Sequence, residues 1–206
     1  MRVYKILPFL LAAVSTLASA GTINIFETGV GTGSIGTTAF TSDSFSITAS
    51  GNTANVTPFN FSGVTGYFLP VTSASIDIAG VGTYDFTSGL EYFVNNTYEV
   101  VGLSQASGND LYDGPYGDAD FATWNFQTSI GPVSGSASLL QWNLGTISTT
   151  GGALFFDTGS SPVTFDATLA DSSTVPEPAS LTLLFSGIAT ATVFRRRRRI
   201  GQPSLT

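Results

Sequence analysis

Residues 163–169 read VTFDATL. Val163, Phe165, Ala167 and Leu169 alternate with Thr164, Asp166 and Thr168. A period of two places one set against a core and the other in water, which is the pattern of a half-buried β-strand. Working outward, the same period recurs. Phe45 and Ile47 alternate with Ser44, Ser46 and Thr48; Ile76 and Ile78 flank Asp77; Trp124 and Phe126 flank Asn125. Residues 91–101, EYFVNNTYEVV, read as one long strand or as a hairpin turning at Asn95-Asn96. Turn residues separate the runs at 31–36, 50–52, 63–66, 114–117 and 151–152. GTGSIG at 31–36 has glycines like a nucleotide loop, but no helix follows, so it reads as a turn. Short strands, frequent turns and no helical period predict an all-β body over residues 21–169. The expected architecture is an antiparallel β-sandwich or jelly-roll-like body.

The charge distribution narrows what this body can do. Of seven basic residues, two (Arg2, Lys5) stand near the start and five (Arg195, Arg196, Arg197, Arg198 and Arg199) near the end. Between Gly21 and Phe194 there is no Lys, Arg, His or Cys, while thirteen acids lie between Glu27 and Asp171. Nucleic-acid binding needs cations to neutralise phosphates, so no nucleic-acid partner is expected. The body cannot build a Ser-His-Asp triad, a Cys-His dyad, a Schiff-base lysine or a His/Cys zinc site. No enzymatic role is expected. The one catalytic chemistry these residue types permit is glycoside hydrolysis by two carboxylates.

Two further patterns lie in the body. Residues 110–120, DLYDGPYGDAD, gather Asp110, Asp113, Asp118 and Asp120 around Gly114, Pro115 and Gly117. Calcium takes six to eight oxygen ligands, so this segment is a candidate calcium loop, with a solvated acidic loop as the plainer reading. Tyr112 and Tyr116 stand in the same segment and are candidates for exposed carbohydrate contact. Trp124 and Phe126 alternate as core residues do.

The ends carry addresses. MRVYKILPFLLAAVSTLASA at 1–20 has a basic start, a short apolar run, and Ala18 and Ala20 as a small-residue cleavage site before Gly21. It reads as a signal peptide, processed by signal peptidase. Residues 170–178 read as a linker. Residues 179–194 form an uncharged span of sixteen residues. As a single transmembrane helix it would be roughly 24 Å long at 1.5 Å per residue. Arg195, Arg196, Arg197, Arg198 and Arg199 follow as a membrane stop on the cytoplasmic side, within a basic tail over 195–206. Pro176 and Pro178 flank Glu177 and hold the preceding segment extended.

Val175-Pro176-Glu177-Pro178, an apolar span and an arginine cluster, in that order, resemble a PEP-CTERM sorting signal. The resemblance covers about 25 residues, 175–199; here a tail, Ile200 to Thr206, continues beyond the arginines, where the family often stops. It implies a transient membrane anchor recognised by exosortase, in a Gram-negative bacterium that makes exopolysaccharide and biofilm matrix. The expected role is a secreted or cell-surface structural or adhesive protein. A calcium-assisted, lectin-like module is the alternative, and a glycoside hydrolase stands behind both.

Overall fold

The computed structural model describes residues 21–170. Several expected features lie outside them. These are the signal peptide with Ala18 and Ala20, the motif Val175, Pro176, Glu177 and Pro178, and the transmembrane helix over 179–194. The stop cluster of Arg195, Arg196, Arg197, Arg198 and Arg199 lies outside them as well. Among the described residues no helix is long and apolar enough to cross a membrane.

The body is antiparallel and all-β. Twelve strands follow in chain order: β1 (Thr22–Ile35), β2 (Thr38–Asn52), β3 (Thr57–Phe61), β4 (Val64–Ile78), β5 (Gly82–Asp85) and β6 (Leu90–Asn95). The rest are β7 (Val100–Gln105), β8 (Asp110–Tyr116), β9 (Ile130–Gly135), β10 (Ser138–Leu139), β11 (Ile147–Thr149) and β12 (Gly152–Leu169). They form one hydrogen-bonded path, β10-β8-β7-β6-β4-β2-β1-β12-β11, with β3 and β5 paired to β4 and β9 paired to β12. This is an antiparallel curled sheet in which the last strand, β12, returns to pair with β1.

The curl is made at β4. Its first half, to Pro70, pairs with β3 and β6; its second half, from Val71, pairs with β2 and β5. Pro70 has no N–H to give a ladder, and it stands where the strand changes partners. The two halves of the sheet then face one another. Ile23, Ile25, Ile47, Ile76 and Phe165 from one half meet Leu69, Tyr92, Val94, Val101 and Leu103 from the other in a single core. The stretch 163–169 behaves as its period predicts: Val163, Phe165 and Ala167 are buried, and Thr168 is exposed. Phe165 is the hub of this core. Its ring lies 6.1 Å from that of Tyr92, 5.9 Å from Phe121 and 5.8 Å from Trp124. Burying each such side chain contributes about 1.5–3 kcal/mol.

Two local expectations are corrected and one open choice is decided. GTGSIG is strand as far as Ile35, and only Gly36 (φ +56°) makes the turn. Gly31 and Gly33 are glycines because a Cβ would overlap the Phe156 ring and the Phe155 carbonyl of the paired strand. Trp124 and Phe126 are buried as expected, yet they lie in a loop between Ala122 and Ile130 instead of a strand. Their two-residue spacing mimics a strand because Phe126 has a left-handed backbone (φ +63°) that turns its ring inward. Of the two readings of residues 91–101, the hairpin is the one formed, with β6 and β7 paired from Asn95↔Val100 to Leu90↔Gln105.

Candidate functional site

The segment 110–120 is not one loop. Asp110 to Tyr116 are strand β8, and only Asp118 and Asp120 stand on the turn beyond it. The Asp118 side chain caps a short 3-10 turn over Ala119–Ala122, accepting a hydrogen bond from the Asp120 backbone N–H at 2.9 Å. That satisfies an otherwise orphaned donor and explains this acid locally. Among the described residues, no group of three or more His, Cys, Asp or Glu side chains could hold a metal ion. Tyr112 is also not exposed. It faces the core at 3% exposure, and Tyr116 is half-buried.

What β8 does create is an acidic pair on the outer face of the sheet. A register shift lies between Leu103 and Ser104 of β7, so that Ser104 pairs with Asp110 and Leu103 with Tyr112. The extra residue, Leu111, breaks the strict alternation. Asp110 and Asp113 therefore come to the same side and touch. Burial, the charge of Asp113 and their mutual hydrogen bond raise the Asp110 carboxyl to about 7. The Asp113 carboxyl is also raised, by burial foremost. Two carboxyls in contact share one proton, because both cannot ionise cheaply side by side. The Tyr116 hydroxyl donates to Asp113 Oδ2 at 3.1 Å. Oδ1 of each aspartate is buried without a partner.

Beside this pair lies a row of aromatic rings. Phe59 and Phe61 of β3 are near-parallel at 5.5 Å, Phe59 meets Phe68 of β4 at 4.6 Å, and Phe68 meets Phe93 of β6 at 6.4 Å. Phe61 is 65% exposed, large for an apolar ring. Gly102 of β7 lets Phe93 and Asp113 approach, since a Cβ there would collide with both. Together the rings, Glu91, Ser104 and Asp110 line a groove of about 250 Å³. The Ser104 hydroxyl lies 3.4 Å from Glu91 Oε1, and burial raises the Glu91 carboxyl. A larger hollow, about 560 Å³, lies over Thr48, Ser50, Thr72 and Ser73. Its hydroxyls already bond one another, Ser50 to Ser73 at 2.7 Å, so it offers fewer free groups to a ligand.

Glu27 is a second, internal feature that inspection of the sequence passes over. It is fully buried on β1 and accepts a hydrogen bond from the Tyr92 hydroxyl at 3.1 Å. Its other oxygen has no partner, and burial pushes its carboxyl up to about 8. The signal was available: Ile23 and Ile25 point inward, and extending their period by one step makes Glu27 inward too.

At the start of the body, the Gly21 N–H donates to Thr53 Oγ1 at 3.0 Å, and its carbonyl accepts from the Thr53 N–H at 2.9 Å. The residue expected to begin the mature chain is thus tied to the short 3-10 turn, Thr53–Asn55, that follows β2.

Fold and surface define an antiparallel β-protein without a basic side chain in its described part. A family model, the PEP-CTERM protein-sorting motif, matches residues 174–199. The match takes in Val175, Pro176, Glu177 and Pro178 at one end and Arg195, Arg196, Arg197, Arg198 and Arg199 at the other. The chain carries that motif, which indicates exosortase-dependent sorting to the cell surface or the extracellular space. No curated protein and no solved structure matches the chain.

Proposed function

We propose that this is a non-enzymatic protein of the cell surface or extracellular exopolysaccharide matrix, with a structural or adhesive role in biofilm. The observation that carries this reading is the sorting motif at 174–199 joined to an all-β body. In this reading, signal peptidase cuts before Gly21. Residues 179–194 anchor the chain transiently in the membrane, the five arginines from Arg195 to Arg199 hold the tail in the cytoplasm, and exosortase processes the Val175–Pro178 region. The body is left as a two-layered, sandwich-like anionic domain outside the cell.

Deleting residues 175–206 tests it. The full chain is expected in surface and matrix fractions, and the truncated chain free in the periplasm or medium. An unchanged distribution would remove the sorting step from the reading.

The outer groove favours a second reading, a carbohydrate-binding module. Its calcium element rests on Asp110 and Asp113 alone, and equal melting midpoints with calcium and with chelator would remove it. Hydrolysis gains no support from that pair. The two carboxyls touch, whereas glycosidase carboxyls stand roughly 5–10 Å apart to admit the sugar or a water.

A further inference from the structure

The groove between Phe61 and Asp110 has two chemically different walls. One is the row Phe61, Phe59, Phe68 and Phe93, with an exposed ring at its open end. Apolar surface of this kind, rimmed by polar groups and not needed by the core, marks a contact site. The other wall is acidic. Glu91 and Asp110 line it, and Asp113 backs Asp110. The only side-chain hydroxyl donor in its lining, Ser104, is already directed at Glu91 Oε1, 3.4 Å away, so the wall offers its carboxyls no charged donor. It also lacks a counter-charge, because residues 21–170 hold no Lys, Arg or His.

Charge selects the occupant. A polymer of uronate or sulfate groups would be repelled by the body's acids. A bare divalent ion would find too few ligands, since no group of three acids is assembled among the described residues. A protonated amine supplies both missing things, donors for the carboxyls and a positive charge that is also attracted to the faces of the rings. The volume, about 250 Å³, is below the roughly 300–1,000 Å³ of drug-sized pockets and suits a single ring. The groove lies on the outer face of the sheet, so a chain bearing that ring can continue on either side.

We infer that this groove binds a polysaccharide through a sugar unit with a free amine, its ring against Phe59 and Phe61 and its ammonium toward Glu91 and Asp110. The inference rests on the matrix reading above, which supplies a polysaccharide as the neighbour.

The test titrates the full chain with a glucosamine hexamer, its fully N-acetylated counterpart and a trilysine peptide. The glucosamine hexamer is expected to bind at least about tenfold more tightly than either of the others. Glu91→Gln and Phe61→Ala should each weaken it at least about fivefold with the melting midpoint unchanged; Phe61 is exposed, and Gln keeps the shape of Glu91. Equal binding of the two hexamers, tighter binding of trilysine, no binding of glucosamine, or binding indifferent to both substitutions overturns the inference. The two readings fail separately. A protein that co-purifies with matrix polysaccharide but ignores the glucosamine hexamer loses this site and keeps the matrix role. One that binds the hexamer through Glu91 and Phe61 but is absent from the matrix loses the role and keeps the site.

Discussion

Glu27 and Phe26 exchange the places that their chemistry suggests. Phe26 is 46% exposed, and Glu27 is fully buried. The strand's period decides this: with Ile23 and Ile25 inward, residue 27 must follow. The cost is met by protonation and by the Tyr92 hydroxyl. Its pH consequence has a definite sign. Unfolded, the carboxyl titrates near 4.5; folded, at about 8. Between those values the unfolded chain has released its proton and the folded chain has kept it. Stability therefore falls as pH rises, by up to about 1.4 kcal/mol per pH unit for one proton, and levels above the folded value. Asp110, raised to about 7, acts in the same direction up to that pH. The melting midpoint is expected to fall from pH 5 to pH 8. Glu27→Gln, which keeps an acceptor for Tyr92, should flatten that decline and raise the midpoint at pH 8. Equal slopes for variant and parent would show that Glu27 does not hold its proton.

Elements here depend on glycines at close approaches as much as on apolar alternation. At Gly33, the ladder between β1 and β12 shifts register, and a Cβ would overlap the Phe155 carbonyl and lie 2.9 Å from the Phe40 ring. A backbone carbonyl cannot swing aside without breaking its strand pair. Gly33→Ala should destabilise by about 1–3 kcal/mol or more in urea unfolding. Gly145 is the control: it has extended backbone (φ -159°) and nothing within 4 Å of its Cβ position. Gly145→Ala should stay within about 0.5 kcal/mol. A small effect at Gly33 would mean that the bulge can relax. This element also shows where legibility stopped. The clustered glycines at 31–36 have the composition of a turn, but their role is steric accommodation of Phe155 and Phe156 from a strand more than a hundred residues later. Composition carries no record of that neighbour. In β8, likewise, the acids and glycines of 110–120 suggest a loop, while pairing with β7 makes most of it strand.

The whole body carries like charge. Residues 21–170 hold twelve acids and no Lys, Arg or His. Self-repulsion favours expansion, and no ion pair within the body can offset it. Raising ionic strength from about 0.01 to 0.15 M shortens the screening length from about 30 to 8 Å. The melting midpoint at pH 7 is then expected to rise by a few degrees, about 2–4 °C for each kcal/mol recovered in a domain of this size. A flat or falling midpoint would show that the acids are spaced widely enough not to interact.

At this scale the division between sequence and tertiary structure is clear. The sequence by itself determined the address, because a sorting motif is a local run read in extended form. It determined the antiparallel all-β class, because alternation such as VTFDATL states which side chains face inward. It determined the absence of cationic and thiol chemistry from the body. Only the tertiary structure decided what the inward and outward faces meet. Glu27 and Tyr92 are 65 residues apart. The groove takes its rings from β3, β4 and β6 and its acids from β6 and β8. A period of two assigns each residue a side of the sheet, but it does not say which strand lies next to it. That is set by the partner change in β4 and the register shift in β7, both of which depend on contacts between strands distant in the chain.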